Sequence, residues 1–178
     1  MLEFIASKAP NAQSIEEEVA AIGVDAVEGK ATTIFAQTPD GKPCLFDYAI
    51  KGFFKDSCSS LSRVPDTLSN KLKAFRKVID GLIFPSPRQI VLNLPDGAKI
   101  GECQRPLRAQ TAQGERIALA HSETVPIGTW FECEIKLLDP KLEAIIEEWL
   151  DYGALRGMGC WRNSGKGRFT WAKAGAGL

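Results

Sequence analysis

The segment from Gly153 to Trp171 holds the residues of this sequence best suited to binding a ligand. It combines glycines and cations without any acidic residue; these are Gly153, Gly157, Gly159, Gly165, Gly167, Arg156, Arg162, Lys166 and Arg168. Glycine permits positive φ angles and lets a ligand approach backbone N–H groups closely. Cations beside such donors suit phosphate groups, and the indole of Trp161 can stack on a base.

The spacing of these glycines excludes the common mononucleotide sites. The interval from Gly159 to Gly165 is too long for a P-loop, and Gly167 follows Lys166 where a P-loop has Ser or Thr. We therefore expect the segment to bind a polymeric phosphate backbone. The alternative is a flexible surface hairpin with its aromatic side chains in the core, in which Trp161 is a core tryptophan.

Basic residues are concentrated in two blocks, although the formal net charge is zero. Residues 51–116 contain twelve basic and six acidic residues, and residues 153–178 contain five basic and none acidic. If the fold brings the blocks together, they form one positive surface, whereas the balanced total argues against general coating of nucleic acid. We expect the C-terminal cations to contact phosphates with help from four residues of the first block: Lys51, Lys55, Arg105 and Arg108.

Other classes of site and location find little support. No apolar run approaches the length of about 20 residues that crosses a bilayer, so no membrane partner is expected. Five scattered cysteines and one histidine make a zinc site improbable, and we expect neither a metal nor a cofactor. The cysteines are expected to be reduced, mostly buried thiols of a cytoplasmic protein in a bacterial cell.

His121 is the only histidine, so any imidazole-based reaction depends on it. It either deprotonates a ribose 2′-hydroxyl beside Lys166 or Arg168, as in a metal-independent endoribonuclease, or lies at a strand end on the surface. We favour the second interpretation. Since the acidic residues suggest no two-metal centre and no Ser or Cys has a neighbouring base, we expect the protein not to be an enzyme.

The rest of the sequence predicts the elements that position these residues. Apolar periodicity and capping residues predict helices at 14–22, 47–61 and 67–80, and from Asp139 to a stop at Gly153. Strands are predicted at 32–37, 43–46, 82–84, 89–94, 98–104, 131–137 and 168–172. Residues 105–116 show no period, and 173–178 are expected to be a frayed tail. We expect one α+β domain, an antiparallel sheet of about five to seven strands with helices largely on one face.

Two segments together resemble the RAMP superfamily, the ferredoxin-like RNA-binding subunits of CRISPR effector complexes. Residues 48–55, Tyr-Ala-Ile-Lys-Gly-Phe-Phe-Lys, resemble its early helix signature, and residues 153–169 resemble its C-terminal glycine-rich loop. The sequence is also similar to small proteins of bacterial phages and prophages, through residues 105–111 and 153–169. It departs from the superfamily in lacking a strand before the helix at Ser14 and an early general-base histidine.

The resemblance implies a single RAMP-like domain over residues 1–178 that binds single-stranded RNA without cleaving it. The alternative is a phage-encoded interaction protein, such as an anti-CRISPR protein, that imitates a CRISPR backbone subunit. In that case its partners are CRISPR effector subunits rather than RNA, and a missing first strand leaves an edge for the partner to complete. Self-association is compatible with either function.

Overall fold

The computed structural model describes residues 33–111 and 114–174, and for 107–111 and 115–119 it describes the backbone alone. The predicted helix at 14–22 lies outside these ranges. The described residues form two compact units, a smaller one from 33–35 and 94–129 and a larger one from 36–93 and 130–174.

The described residues contain seven strands and four α-helices. The strands are β1 (Ala36–Gln37), β2 (Pro43–Phe46), β3 (Ile83–Ser86), β4 (Gln89–Val91), β5 (Gly101–Thr111), β6 (Gly114–Thr124) and β7 (Glu134–Leu137). The helices are α1 (Asp47–Leu61), α2 (Leu68–Lys71), α3 (Phe75–Leu82) and α4 (Glu143–Arg156), with 3₁₀ turns at Pro140–Leu142 and Arg162–Ser164.

The larger unit contains two small antiparallel sheets. Strands β1, β2 and β4 form a three-stranded sheet in that order, with Cys44 opposite Val91. Strands β3 and β7 form a two-stranded sheet, with Phe84 opposite Lys136. The predicted hairpin of β1 and β2 is confirmed, and its Pro39-Asp-Gly-Lys42 turn is closed by the bond from the Thr38 N–H to the Lys42 carbonyl, 2.9 Å.

Helices α1 and α4 supply the core of the larger unit, as their apolar spacing predicts. From α1 the buried residues include Phe53 and Phe54, and from α4 they include Ile146 and Trp149. The rings of Phe54 and Trp149 lie 5.3 Å apart between centroids. Burying one large apolar side chain contributes about 1.5–3 kcal/mol. The predicted bounds of α1 are confirmed.

The predicted helix at 67–80 is instead two helices, because tertiary contacts interrupt it. The carboxylate of Glu148 accepts bonds from the N–H groups of Leu68 and Ser69, 2.7 and 3.0 Å, and from the Ser69 hydroxyl. Trp149 Nε1 donates to Ser69 Oγ, 2.9 Å. These bonds hold Ser69 in the core, and Ala74 then takes a left-handed φ of 51° before α3 begins.

The smaller unit contains a long antiparallel hairpin of β5 and β6, paired from Gly101 opposite Thr124 to Thr111 opposite Gly114. The sequence shows no period over 105–116, yet residues 105–111 belong to β5 and residues 114–116 belong to β6. Where side chains of β5 are described, residues 101–106 are exposed apart from half-buried Cys103. A strand segment whose side chains are mostly exposed, such as residues 101–106, does not need the apolar alternation that predicts a strand.

All five cysteines are free thiols, of which Cys44 and Cys58 are buried and Cys160 is exposed. Burial raises the pKa of the Cys58 thiol, with a smaller opposing effect from its bond with Ser69. The prediction that most are buried holds for two, since Cys103 and Cys133 are half-buried.

The described residues confirm a mixed α+β fold with antiparallel strands. The strands are divided over three sheets rather than joined in the single sheet that the sequence suggests. A ferredoxin-like arrangement, helices on one face and a single domain over the whole chain stay predictions. Among the described residues, no helix has the length and apolar character to span a bilayer.

Candidate nucleic-acid interface

Helix α4 delivers the chain into the glycine-rich segment, and it ends later than the sequence suggests. It continues through Gly153 to Arg156 and ends at Gly157, whose φ is 75°. Gly153 is needed for a different reason, because a Cβ there would overlap the ring of Phe169. The prediction that Gly153 stops the helix is therefore wrong, and this glycine allows a close packing contact.

Residues 157–167, here called the glycine loop, are closed at their base by backbone contacts. The N–H of Met158 donates to the carbonyl of Gly167, 2.8 Å. A Cβ on Gly157 would lie 2.6 Å from the Lys166 carbonyl oxygen, and a Cβ on Gly167 would overlap the Met158 carbonyl oxygen. Only glycine fits at both positions, so these residues fix the shape of the loop.

The outer part of the glycine loop contains one 3₁₀ turn and exposed backbone. The carbonyl of Trp161 accepts from the N–H of Ser164, and that of Arg162 accepts from the N–H of Gly165, both at 2.9 Å. Trp161 is half-buried and has a left-handed φ of 61°. Apart from its two neighbouring residues, no atom lies within 4 Å of the place where a Cβ on Gly159 would stand, so a ligand can approach the backbone there.

Two arginines of the segment are held by Asp56 of helix α1. Arg156 Nε lies 2.9 Å and Arg162 Nη1 lies 2.7 Å from Asp56 Oδ2. Arg156 also donates to Asn163 Oδ1, 2.7 Å, and its bond with Asp56 raises its pKa. These contacts fasten the glycine loop to α1 and neutralise part of its positive charge.

Lys166 and Arg168 differ from these arginines because they have no acidic partner among the described residues. Both are exposed. The guanidinium of Arg168 lies beside Gly165, 3.9 Å from the place of a Cβ on that glycine. The two cations therefore present their charge to solvent next to a backbone segment with positive φ angles at Gly165 and Gly167.

Lys51 and Lys55 contact Asp80, whereas Arg156 and Arg162 contact Asp56. Lys51 Nζ donates to the Asp80 carbonyl, 3.1 Å, and Lys55 Nζ lies 2.6 Å from Asp80 Oδ1. Since successive helical residues differ by about 100° around the axis, Lys55 and Asp56 lie on different flanks of α1. The structure thus brings Arg156 and Arg162 together and does not bring these lysines to them. A single positive surface stays a prediction.

The remaining candidates belong to the smaller unit. Arg105 is exposed on β5 opposite Ala120, and Arg108 lies further along β5 opposite Ile117. His121 is half-buried on β6, and its carbonyl accepts a bond from the N–H of Thr33, 3.0 Å. No cluster of three or more metal-ligating side chains occurs in the described part of the chain. RNA contact by Arg105 and Arg108, and a non-catalytic role for His121, stay predictions.

The sequence does not reveal the strap that follows the glycine loop. After Phe169 packs on Gly153, Trp171 Nε1 donates to Asp151, 2.8 Å, and Lys173 Nζ contacts two carboxylates, those of Glu143 at 2.8 Å and Glu147 at 2.5 Å. Residues 169–173 therefore run back along α4 without forming the strand predicted at 168–172. The signal available in the sequence is the spacing of the three acidic residues, four apart on one helix face.

A scan against protein-family models matches no family, and a search of curated proteins finds no relative of this chain.

Proposed function

We propose that this protein binds single-stranded RNA without cleaving it and that the glycine loop holds the RNA backbone. The observation that carries the proposal is the pair of exposed cations, Lys166 and Arg168, which have no acidic partner in the described ranges. Lys166 stands on the glycine loop, whose shape is fixed by glycine contacts at its base, and Arg168 follows directly after it. A loop held in one shape loses less conformational entropy when it binds.

The residues of the segment then have separate roles. Arg156 and Arg162, paired with Asp56, hold the loop against α1 and retain part of their charge for the ligand. Lys166 and Arg168 contact phosphates, and the open backbone at Gly159 admits a phosphate oxygen. Trp161 is half-buried, which leaves part of the indole for stacking on a base.

The resemblance to RAMP proteins supports the same function and adds its context. It suggests a ferredoxin-like domain, of phage or CRISPR association, in which Lys51, Lys55, Arg105 and Arg108 extend the contact with RNA. Our proposal includes that context, with His121 in no catalytic role.

A second candidate function is that of a protein that binds another protein, such as an anti-CRISPR protein. Large apolar side chains of the larger unit favour it, since Trp130, Leu138 and Leu155 are more than half exposed. Aromatic residues of this kind anchor many protein interfaces. RNA binding by the purified protein separates the two functions.

The test is a salt titration of labelled single-stranded RNA binding, followed by fluorescence anisotropy. The slope of log K against log salt is negative, and each lost phosphate contact reduces its magnitude by about 0.7 for a single strand. Lys166→Ala combined with Arg168→Ala should therefore reduce the magnitude by about 1.4. The matched control, Lys73→Ala with Lys77→Ala, removes the same charge from exposed residues of the larger unit and should change the slope little.

Four outcomes contradict the proposal. Equal losses in both double variants would mean that charge alone attracts the RNA. An unchanged slope in the loop variant would remove the loop as the site. If the wild-type protein binds no RNA at low salt, the protein-binding function becomes the better one, and RNA cleavage abolished by His121→Ala would instead make the protein an enzyme.

A further inference from the structure

The junction of β2 with α1 carries two stacked aromatic rings beside an arginine. Phe46 ends β2 and Tyr48 lies in the first turn of α1, with ring centroids 5.4 Å apart and an interplanar angle of 17°. The guanidinium carbon of Arg88 lies 5.5 Å from the centroid of each ring. A cation at this distance is attracted to the ring faces.

Asp47 fixes this arrangement in place. Its carboxylate forms an ion pair with Arg88 Nη1 and accepts the N–H of Tyr48, 2.8 Å. Its own N–H donates to the carbonyl of Arg88, 3.1 Å. The arginine and the tyrosine are therefore held by the same residue, and their relative position does not depend on a ligand.

Tyr48 is largely open to solvent. The residue is 59% exposed, although Phe46 stacks on its ring and the Arg88 guanidinium lies 5.5 Å from its centroid. The exposed surface of Tyr48 is therefore available to a further flat group.

A second exposed ring lies beside a cation on the same side of α1. Lys51 follows Tyr48 by three residues, which places both side chains on one helix face. Lys51 Nζ lies 4.7 Å from the ring centroid of Phe84, and Phe84 is 41% exposed. We call these five residues the aromatic face: Phe46, Tyr48, Lys51, Phe84 and Arg88.

Gly52 lies between the aromatic face and the glycine loop on the surface of α1. At about 100° per residue, its position around the helix axis falls between those of Lys51 and Asp56. Gly52 is exposed, and a Cβ there would meet no atom within 4 Å apart from its two neighbouring residues and the backbone of α1 itself. Tyr48 and Asp56 are about 12 Å apart along the helix axis. An RNA strand that leaves the glycine loop can therefore cross α1 at Gly52, where there is no side chain.

We propose that the aromatic face binds bases of the same single-stranded RNA, with Tyr48 as the stacking residue. This inference rests on the proposed function and adds a second contact to it. Exposed flat rings can stack on any base, because every base has a π-face. A protein partner is favoured less, since a protein hot spot is a tightly packed pocket and Tyr48 stands on an open surface.

The test compares two labelled oligomers, a single-stranded RNA and an abasic oligomer with the same sugar-phosphate backbone. Tyr48→Ala should weaken binding of the RNA roughly 5- to 150-fold, with no change in salt slope or in affinity for the abasic oligomer. Tyr48→Phe keeps the ring and should bind as the wild type does. The matched control is Trp130→Ala, because Trp130 is 56% exposed and no cation lies over its ring among the described residues.

The outcomes separate this inference from the function on which it rests. If Tyr48→Ala binds RNA like the wild type while the Lys166 and Arg168 double variant loses binding, the glycine-loop proposal stands and the aromatic face is not part of the site. An equal loss for both oligomers, or an equal loss in Trp130→Ala, also overturns the stacking role. If the wild type binds neither oligomer, both proposals fall. A melting temperature measured for each variant excludes unfolding as the cause of a loss.

Discussion

Replacing Asp56 by asparagine separates the two uses of the loop arginines, holding the fold and binding RNA. Asparagine has nearly the same shape as aspartate and retains one acceptor, but it removes the charge that both arginines share. Arg156 and Arg162 lie 2.9 and 2.7 Å from the same carboxylate oxygen. We therefore expect Asp56→Asn to lower stability and to strengthen RNA binding.

The size of the first effect follows from the burial of the cluster. Hydrogen bonds to charged groups contribute about 1.5–3 kcal/mol each, and exposed ion pairs contribute about 0–1 kcal/mol. The side chains of Asp56 and Arg162 are 26% and 28% exposed, which places the cluster between these limits. A total loss of about 1–3 kcal/mol is expected. For a chain of this size, that lowers the melting temperature by roughly 2–12 °C.

The second effect of Asp56→Asn is an increase in the affinity for RNA. Without Asp56, both arginines carry uncompensated charge beside Lys166 and Arg168. If each arginine gains one phosphate contact, the slope of log K against log salt steepens by about 0.7 per contact, or about 1.4 in total. Affinity at low salt should rise accordingly, even though the protein is less stable.

Thermal unfolding and RNA titration of the same preparations measure both effects. The control is Glu132→Gln, which removes one negative charge from an exposed residue without an ion pair in the described part of the chain. It should change neither the melting temperature nor the slope appreciably. An unchanged melting temperature in Asp56→Asn would show that the ion pairs do not hold the loop. A lowered melting temperature with an unchanged slope would show that the freed arginines do not reach RNA.

Two further predictions concern the base of the glycine loop and the strap behind it. Gly167→Ala should lower the free energy of unfolding by about 1–3 kcal/mol more than Gly159→Ala, as measured by denaturant titration. Both glycines have positive φ, but only a Cβ on Gly167 would overlap the Met158 carbonyl. Equal losses would contradict the close contact at the base of the loop. Hydrogen bonding to Lys173 lowers the pKa of Glu143, so the strap contact is fully present above the ordinary glutamate pKa of about 4.3 and is lost as the pH falls through the lowered value. Acid titration of tryptophan fluorescence should show this transition in the wild type and not in Lys173→Ala, and identical titration curves would count against the strap.

Local periodicity predicts the helices that carry the candidate site. The faces of α1 and α4 follow from residues spaced three and four apart, and the structure buries those faces together. Helix ends are harder, because they depend on distant residues. Gly153 resembles a stop in the sequence, but its lack of a side chain serves the packing of Phe169, which no local pattern indicates.

Contacts between distant segments explain what the sequence did not predict at the site. Asp56 belongs to α1 and has no pattern that links it to the loop arginines a hundred residues later. The break between α2 and α3 likewise depends on Glu148 from α4. The periodicity of hydrophobic residues identifies which side of a helix is buried. The residue that pairs with a charged side chain depends instead on how distant segments pack together.

The glycines themselves show why composition overstates the size of a binding site. Residues 153–171 suggest a uniform cradle of glycine and cations, yet Gly153, Gly157 and Gly167 are required by close contacts within the protein. Arg156 and Arg162 share a carboxylate, so their charge is partly used. What remains free to meet RNA is narrower: Lys166, Arg168 and the backbone around Gly159. The smaller site still favours binding, because the glycines that close the base of the loop also fix the position of the cations that contact the phosphates.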